Sequence, residues 1–134
     1  MKLPAGFLRF TFRMAVISLF CIGASTALLK TGTLKLPGIF VFGPVLLFFL
    51  LGQTLHYFFL RALAGRPQQF INAFMGGQAL KMFVHLMVLV LVSFSFPDKA
   101  VHFILMYAVY YLAFTIAEVI GIGSVSSLQN EAGQ

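Results

Sequence analysis

The sequence predicts an all-α membrane protein, with four transmembrane helices in an up-down antiparallel bundle. Three observations carry that expectation. Of the 134 residues, 60% are apolar and only 9% are charged, against about 25% charged in an ordinary soluble domain. The mean hydropathy is +1.00. The apolar residues gather into four runs, and about 20 residues of helix cross a hydrocarbon core roughly 30 Å thick. Nine basic and three acidic side chains cannot clothe a water-soluble domain of this size. The composition therefore excludes a soluble enzyme, a disordered tail and a disulfide-built secreted module. The ten-residue alternation of membrane-barrel strands is also absent.

The first helix is expected over residues 7–29, with Arg9 and Arg13 near its entry. Basic residues Lys2, Arg9 and Arg13 ahead of an apolar run resemble a secretory signal, but the run is long and Lys30 follows at once, which favours a retained helix. After a polar loop, Pro37-Gly38 opens a second run over residues 36–60 that carries no formal charge. A break at Arg66-Pro67 leads to a third run over residues 70–96. Pro97-Asp98-Lys99 then makes a tight turn, with Asp98 placed to cap the fourth helix over residues 100–122. Gly121 and Gly123 are expected to release residues 123–134 as a polar tail. Short connections impose antiparallel neighbours and a single domain over residues 1–134. No internal repeat is visible.

The formal charge is +6, but the basic residues lie at the ends of apolar runs and form no aromatic-interleaved patch, so they predict contact with anionic lipid rather than nucleic acid. With the N-terminus inside, Lys2, Arg9, Arg13, Arg61 and Arg66 face the cytoplasm, and Lys30, Lys35 and Lys99 face out. This balance predicts that both termini lie on the cytoplasmic side. Cys21 is a lone cysteine, so neither an intrachain disulfide nor a cysteine metal site is expected.

Lys81 and Glu118 are charges inside apolar runs. An ionisable group at the bilayer centre costs about 2.5–3.5 kcal/mol on insertion scales, so the two should meet or reach water. Counted from the Pro97 turn, they lie at depths of roughly 22 and 26 Å, less than one helical turn apart. An intramembrane ion pair between the third and fourth helices follows. Gln78, Lys81 and His85 share one face of the third helix, and Tyr107, Tyr111, Thr115 and Glu118 share one face of the fourth. Gln53 and His56 of the second helix reach a similar level. The expected polar seam is Gln53, His56, Gln78, His85, Tyr111 and Thr115 around the Lys81–Glu118 pair. Ser18, Cys21 and Ser25 form a small polar face on the first helix.

The seam has two readings: interhelical glue that fixes register, or an ion or proton site at Glu118 with Lys81 as its gate. Haem between His56 and His85 is disfavoured, because their levels differ by roughly 12 Å. No catalytic constellation, cofactor loop or metal-site spacing appears. Gly76-Gly77 reads as a flexible or close-packing spot in the third helix.

The second half, with Arg66-Pro67, Phe70-Ile71-Asn72-Ala73-Phe74-Met75, Leu80-Lys81-Met82 and Tyr110-Tyr111-Leu112-Ala113-Phe114-Thr115-Ile116-Ala117-Glu118-Val119, resembles the ATP synthase protein I (I chain) family, in its small four-helix bacterial form. The similarity covers about residues 66–119; the first half is similar in hydropathy alone. The resemblance implies a non-enzymatic accessory that assists assembly of the proton-carrying ring of ATP synthase, with a proposed role in divalent-cation supply. Only Lys81 and Glu118 carry over from the pattern. The expected partners are the bilayer with its anionic lipids, membrane subunits of ATP synthase or another bioenergetic complex, and further copies of the chain. A small cation or proton carrier using Glu118, and a supernumerary structural subunit of a respiratory complex, are the alternatives.

Overall fold

The computed structural model describes residues 6–133, and Lys2 of the charge count lies outside them. Four α-helices and a short 3-10 turn account for most of these residues: α1 (Phe7–Lys30), α2 (Gly38–Leu63), α3 (Pro67–Ser95) and α4 (Ala100–Ala132), with the turn Pro97–Lys99 ahead of α4. All four helices are long and apolar enough to cross a membrane, α4 by its part within the span Pro97–Gly123. The chain is a multi-pass membrane protein.

Each helix begins and ends for a local reason. Gly6, at φ +85°, admits the chain to α1. At the other end Gly32 takes φ +76°, and the Leu34 N–H reaches back to the Leu28 carbonyl at 3.1 Å, which reverses the chain. Only glycine takes such angles without strain. α3 starts at Pro67, three residues before the expected point, because proline suits a first helical position where no N–H is needed. Gln69 Oε1 accepts the Arg66 N–H there at 3.2 Å. Among the described residues the Asp98 side chain makes no capping hydrogen bond. The 3-10 turn itself receives the Lys99 N–H on Phe96 O and the Ala100 N–H on Pro97 O, so the first donors are already satisfied.

The expected polar tail is instead a continuation of α4 to Ala132. A helix-interior glycine costs only about 1 kcal/mol, and no proline follows Gly121 and Gly123. The nucleated helix therefore continues through both.

Packing centres on α2 and α4. Each touches the other three helices, whereas α1 and α3 do not touch each other among the described residues. The two central helices bury the same register. Val41, Pro44, Val45, Phe48, Gly52, Leu55, His56 and Phe59 of α2 match Phe103, Met106, Tyr107, Tyr110, Phe114, Ala117, Glu118 and Gly121 of α4 at a constant offset of 62. This repeat exists in burial and not in residue identity. Aligned positions pair Phe48 with Tyr110 and His56 with Glu118, so each central helix places one ionisable group at the same step.

The flanking helices differ. α1 buries Phe10, Met14, Ser18, Cys21 and Ser25 in a single stripe. α3 buries only Lys81 and His85. Between α2 and α3, Phe40 meets Phe96, Phe48 meets His85 and Phe59 meets Phe74. Many large apolar side chains point outward, Phe12 and Phe94 among them, as a lipid-bathed surface requires.

Candidate functional site

Lys81 reaches from α3 into the side of α4. Its Nζ donates to Glu118 Oε2 at 2.8 Å and to Thr115 Oγ1 at 3.1 Å. The ammonium also stands 5.1 Å from the centre of the Tyr111 ring. Three N–H groups thus meet a carboxylate, a hydroxyl and an aromatic face. Lys81 and Glu118 are 1% and 2% exposed, so water contributes almost nothing to either. The pair is the one salt bridge among the described residues. The sequence-expected ion pair is present, and Thr115 and Tyr111 belong to it.

One turn along α3, His85 Nδ1 shares a hydrogen bond of 2.5 Å with Tyr107 Oη. The imidazole stacks on Phe48, with ring centres 4.1 Å apart, and presents an edge contact to Tyr111. Its Nε2 has no hydrogen-bond partner among the described residues. Tyr111 therefore touches both Lys81 and His85, so the polar groups form one continuous string along the α3–α4 contact.

Gln53, His56 and Gln78 stand apart from this string. Thr11 Oγ1 lies 2.9 Å from Gln53 Oε1 and 3.0 Å from Phe7 O, so Gln53 is tied to α1. His56 stacks on Phe10 of α1, centroid to centroid 3.5 Å and nearly coplanar at 12°. Both of its ring nitrogens are buried without a hydrogen bond among the described residues. Gln78 is half-buried and makes no side-chain hydrogen bond among the described residues. The expected single seam is thus divided. The α3 side holds Lys81, His85, Thr115, Tyr111 and Glu118, and the α1 side holds Gln53 and His56. The reason is rotational. Depth along a helix follows from residue count, but the direction a side chain takes around the helix depends on which neighbour packs there.

Two further groups of residues shape these contacts, Gly77 among them as the sequence suggests. The first is glycine. A Cβ on Gly52 would lie 2.6 Å from Met14 Cε and 3.0 Å from Glu118 Oε1, so Gly52 is what lets the carboxylate approach α2. A Cβ on Gly77 would meet the Phe59 ring at 2.6 Å, and one on Gly121 would meet Phe10 at 2.8 Å. Of the Gly76-Gly77 spot only Gly77 is a close-packing position, because Gly76 faces open space. The second is Tyr110, which hydrogen-bonds Ser25 of α1. Ser18 bonds its own helix at Met14 O, and Cys21 is a buried free thiol.

Chemically, this arrangement holds one neutralised charge pair in a dry interior. Among the described residues no group of three His, Cys, Asp or Glu side chains has the geometry to hold a metal ion. Among the described residues Glu118 Oε1 has no hydrogen-bond partner, and it faces Gly52. Compared with models of known families, with curated proteins and with solved structures, the chain matches none.

Proposed function

We propose that the chain is a non-enzymatic accessory protein of the bacterial inner membrane, an up-down antiparallel bundle with both termini cytoplasmic. Its task is to hold other hydrophobic subunits during assembly, and the ATP synthase membrane sector is the assembly that the Lys81 and Glu118 pattern suggests. One observation carries this reading. The intramembrane carboxylate is buried and paired with its own lysine at 2.8 Å, which suits a fixed strut between helices better than a site that must bind and release a cation. The order of the α2–α3 pairs, from Phe40 with Phe96 to Phe59 with Phe74, supports the antiparallel hairpin. The basic residues Arg9, Arg13, Arg61 and Arg66 support the orientation.

A strain carrying Lys81→Met with Glu118→Leu tests the proposal. The expected result is a lower yield of assembled ATP synthase and no change in ion flux across liposomes holding the purified protein. An unchanged yield contradicts it. A second reading, a small proton carrier, draws on the unpartnered Glu118 Oε1. Proton flux through wild-type liposomes that disappears in Glu118→Gln selects that reading instead.

A further inference from the structure

We propose that Arg9 and Arg13 form a binding site for the phosphodiester of an anionic phospholipid. The two arginines stand one turn apart on the outward face of α1 and line a shallow surface groove with Leu8 and Phe12. Leu8 and Phe12 are 71% and 72% exposed, so the groove opens toward lipid and away from the helices. Val16 and Phe20, also exposed, prolong the same stripe by roughly 12 Å beyond Phe12 at 1.5 Å per residue. The groove thus offers two guanidiniums at one end and an apolar track for an acyl chain leading from them.

Among the described residues the protein supplies no anion there. Neither arginine makes an ion pair or a side-chain hydrogen bond among the described residues. Of the three acids, Glu118 is committed to Lys81 inside the bundle. Phe10 lies against the Gly121 position, so Glu131, ten residues further along the same helix, is about 15 Å beyond the level of Phe10. Asp98 lies in the turn ahead of α4, about 35 Å to the other side of Gly121.

Depth makes the requirement sharper. Arg13 is six residues inside the start of α1, about 9 Å along the axis. Its neighbour Met14 packs over Gly52 beside Glu118. An exposed arginine near that level is unfavourable against bare acyl chains. It becomes favourable when the side chain extends toward Arg9 and both meet one phosphate. Two guanidiniums on one oxyanion match the fork geometry that arginine brings to phosphates.

The full-length protein in phosphatidylcholine vesicles containing a little spin-labelled phosphatidylglycerol provides the test. An immobilised lipid component is expected, with a preference for the anionic label that falls on the order of tenfold in Arg9→Gln/Arg13→Gln. Lys30→Gln/Lys35→Gln removes the same charge from the other end of α1 and its loop and is expected to keep the preference. Circular dichroism on both variants verifies that the helices persist, and Arg9→Lys/Arg13→Lys, which keeps the charge, stands in should the glutamine variant unfold, with an expected partial loss. No preference for the anionic label in wild type overturns the site, as does an equal loss in the two glutamine variants.

Discussion

α1 and α3 flank the same central pair of helices and are held by different means. α1 attaches through a stripe of packed side chains, Phe10, Met14 and Cys21, with two serines among them. α3 attaches through Lys81 and His85, its only fully buried residues, and both are polar. Within a bilayer, apolar residues gain little by leaving lipid for a neighbouring helix, so close packing and polar contacts decide adhesion. The flank with few packed residues is therefore the one whose position depends on specific polar partners. Removing one such partner should disturb α3 far more than α1.

The largest effect is expected at the charge pair. Lys81→Met leaves Glu118 buried without its partner, and breaking a buried pair in this way costs about 3–5 kcal/mol. Unfolding in mixed micelles with increasing sodium dodecyl sulfate should show a loss of that size. Lys81→Met with Glu118→Leu should recover most of it, because no lone charge remains. If the single variant is as stable as wild type, α3 does not depend on the pair.

Next comes the glycine contrast within α3. Gly77→Leu must displace the Phe59 ring and should cost about 1–3 kcal/mol by overpacking. Gly76→Ala meets open space and should stabilise the helix by about 0.5–1 kcal/mol. Equal effects at the two positions would mean that α3 sits differently against α2.

The two histidines give a smaller separation. His85→Phe keeps the stacking on Phe48 but leaves the Tyr107 hydroxyl without its partner, at a cost of about 1 kcal/mol. His56→Phe gives up no hydrogen bond and retains an aromatic ring against Phe10, so its effect should lie near zero or be slightly stabilising. The smallest effect belongs to α1. Ser25→Ala removes the bond to Tyr110 and should cost about 0.6 kcal/mol, the mean for such bonds between membrane helices. Both are read from the same detergent titration.

These contrasts also mark what the sequence could reveal. Lys81 and Glu118 were legible because two charges in uncharged runs have few places to go, and counting residues from the Pro97 turn fixed their levels. Thr115 and Tyr111 were legible from helical spacing on the same face as Glu118. For Gln53 and His56 the sequence indicates the depth but not the side of α2 on which they lie. The Phe10 ring that stacks on His56 belongs to α1, and no spacing rule within α2 reports which neighbour a face will meet. The shared register of α2 and α4 was hidden because burial repeats where chemistry does not: a glycine at Gly52 aligns with a large ring at Phe114. The helical end of α4 is not legible in the sequence, because two glycines look like a stop although each is only a small penalty on a helix already formed.

The most direct measurement of the central claim is solid-state nuclear magnetic resonance on the protein in bilayers, with Lys Nζ labelled as nitrogen-15 and Glu Cδ as carbon-13. Lys81 and Glu118 are the one lysine–glutamate contact among the described residues, so a single strong dipolar coupling is expected, and it should vanish in Lys81→Met. The absence of any coupling in the wild-type protein, or its survival in Lys81→Met, would contradict the account.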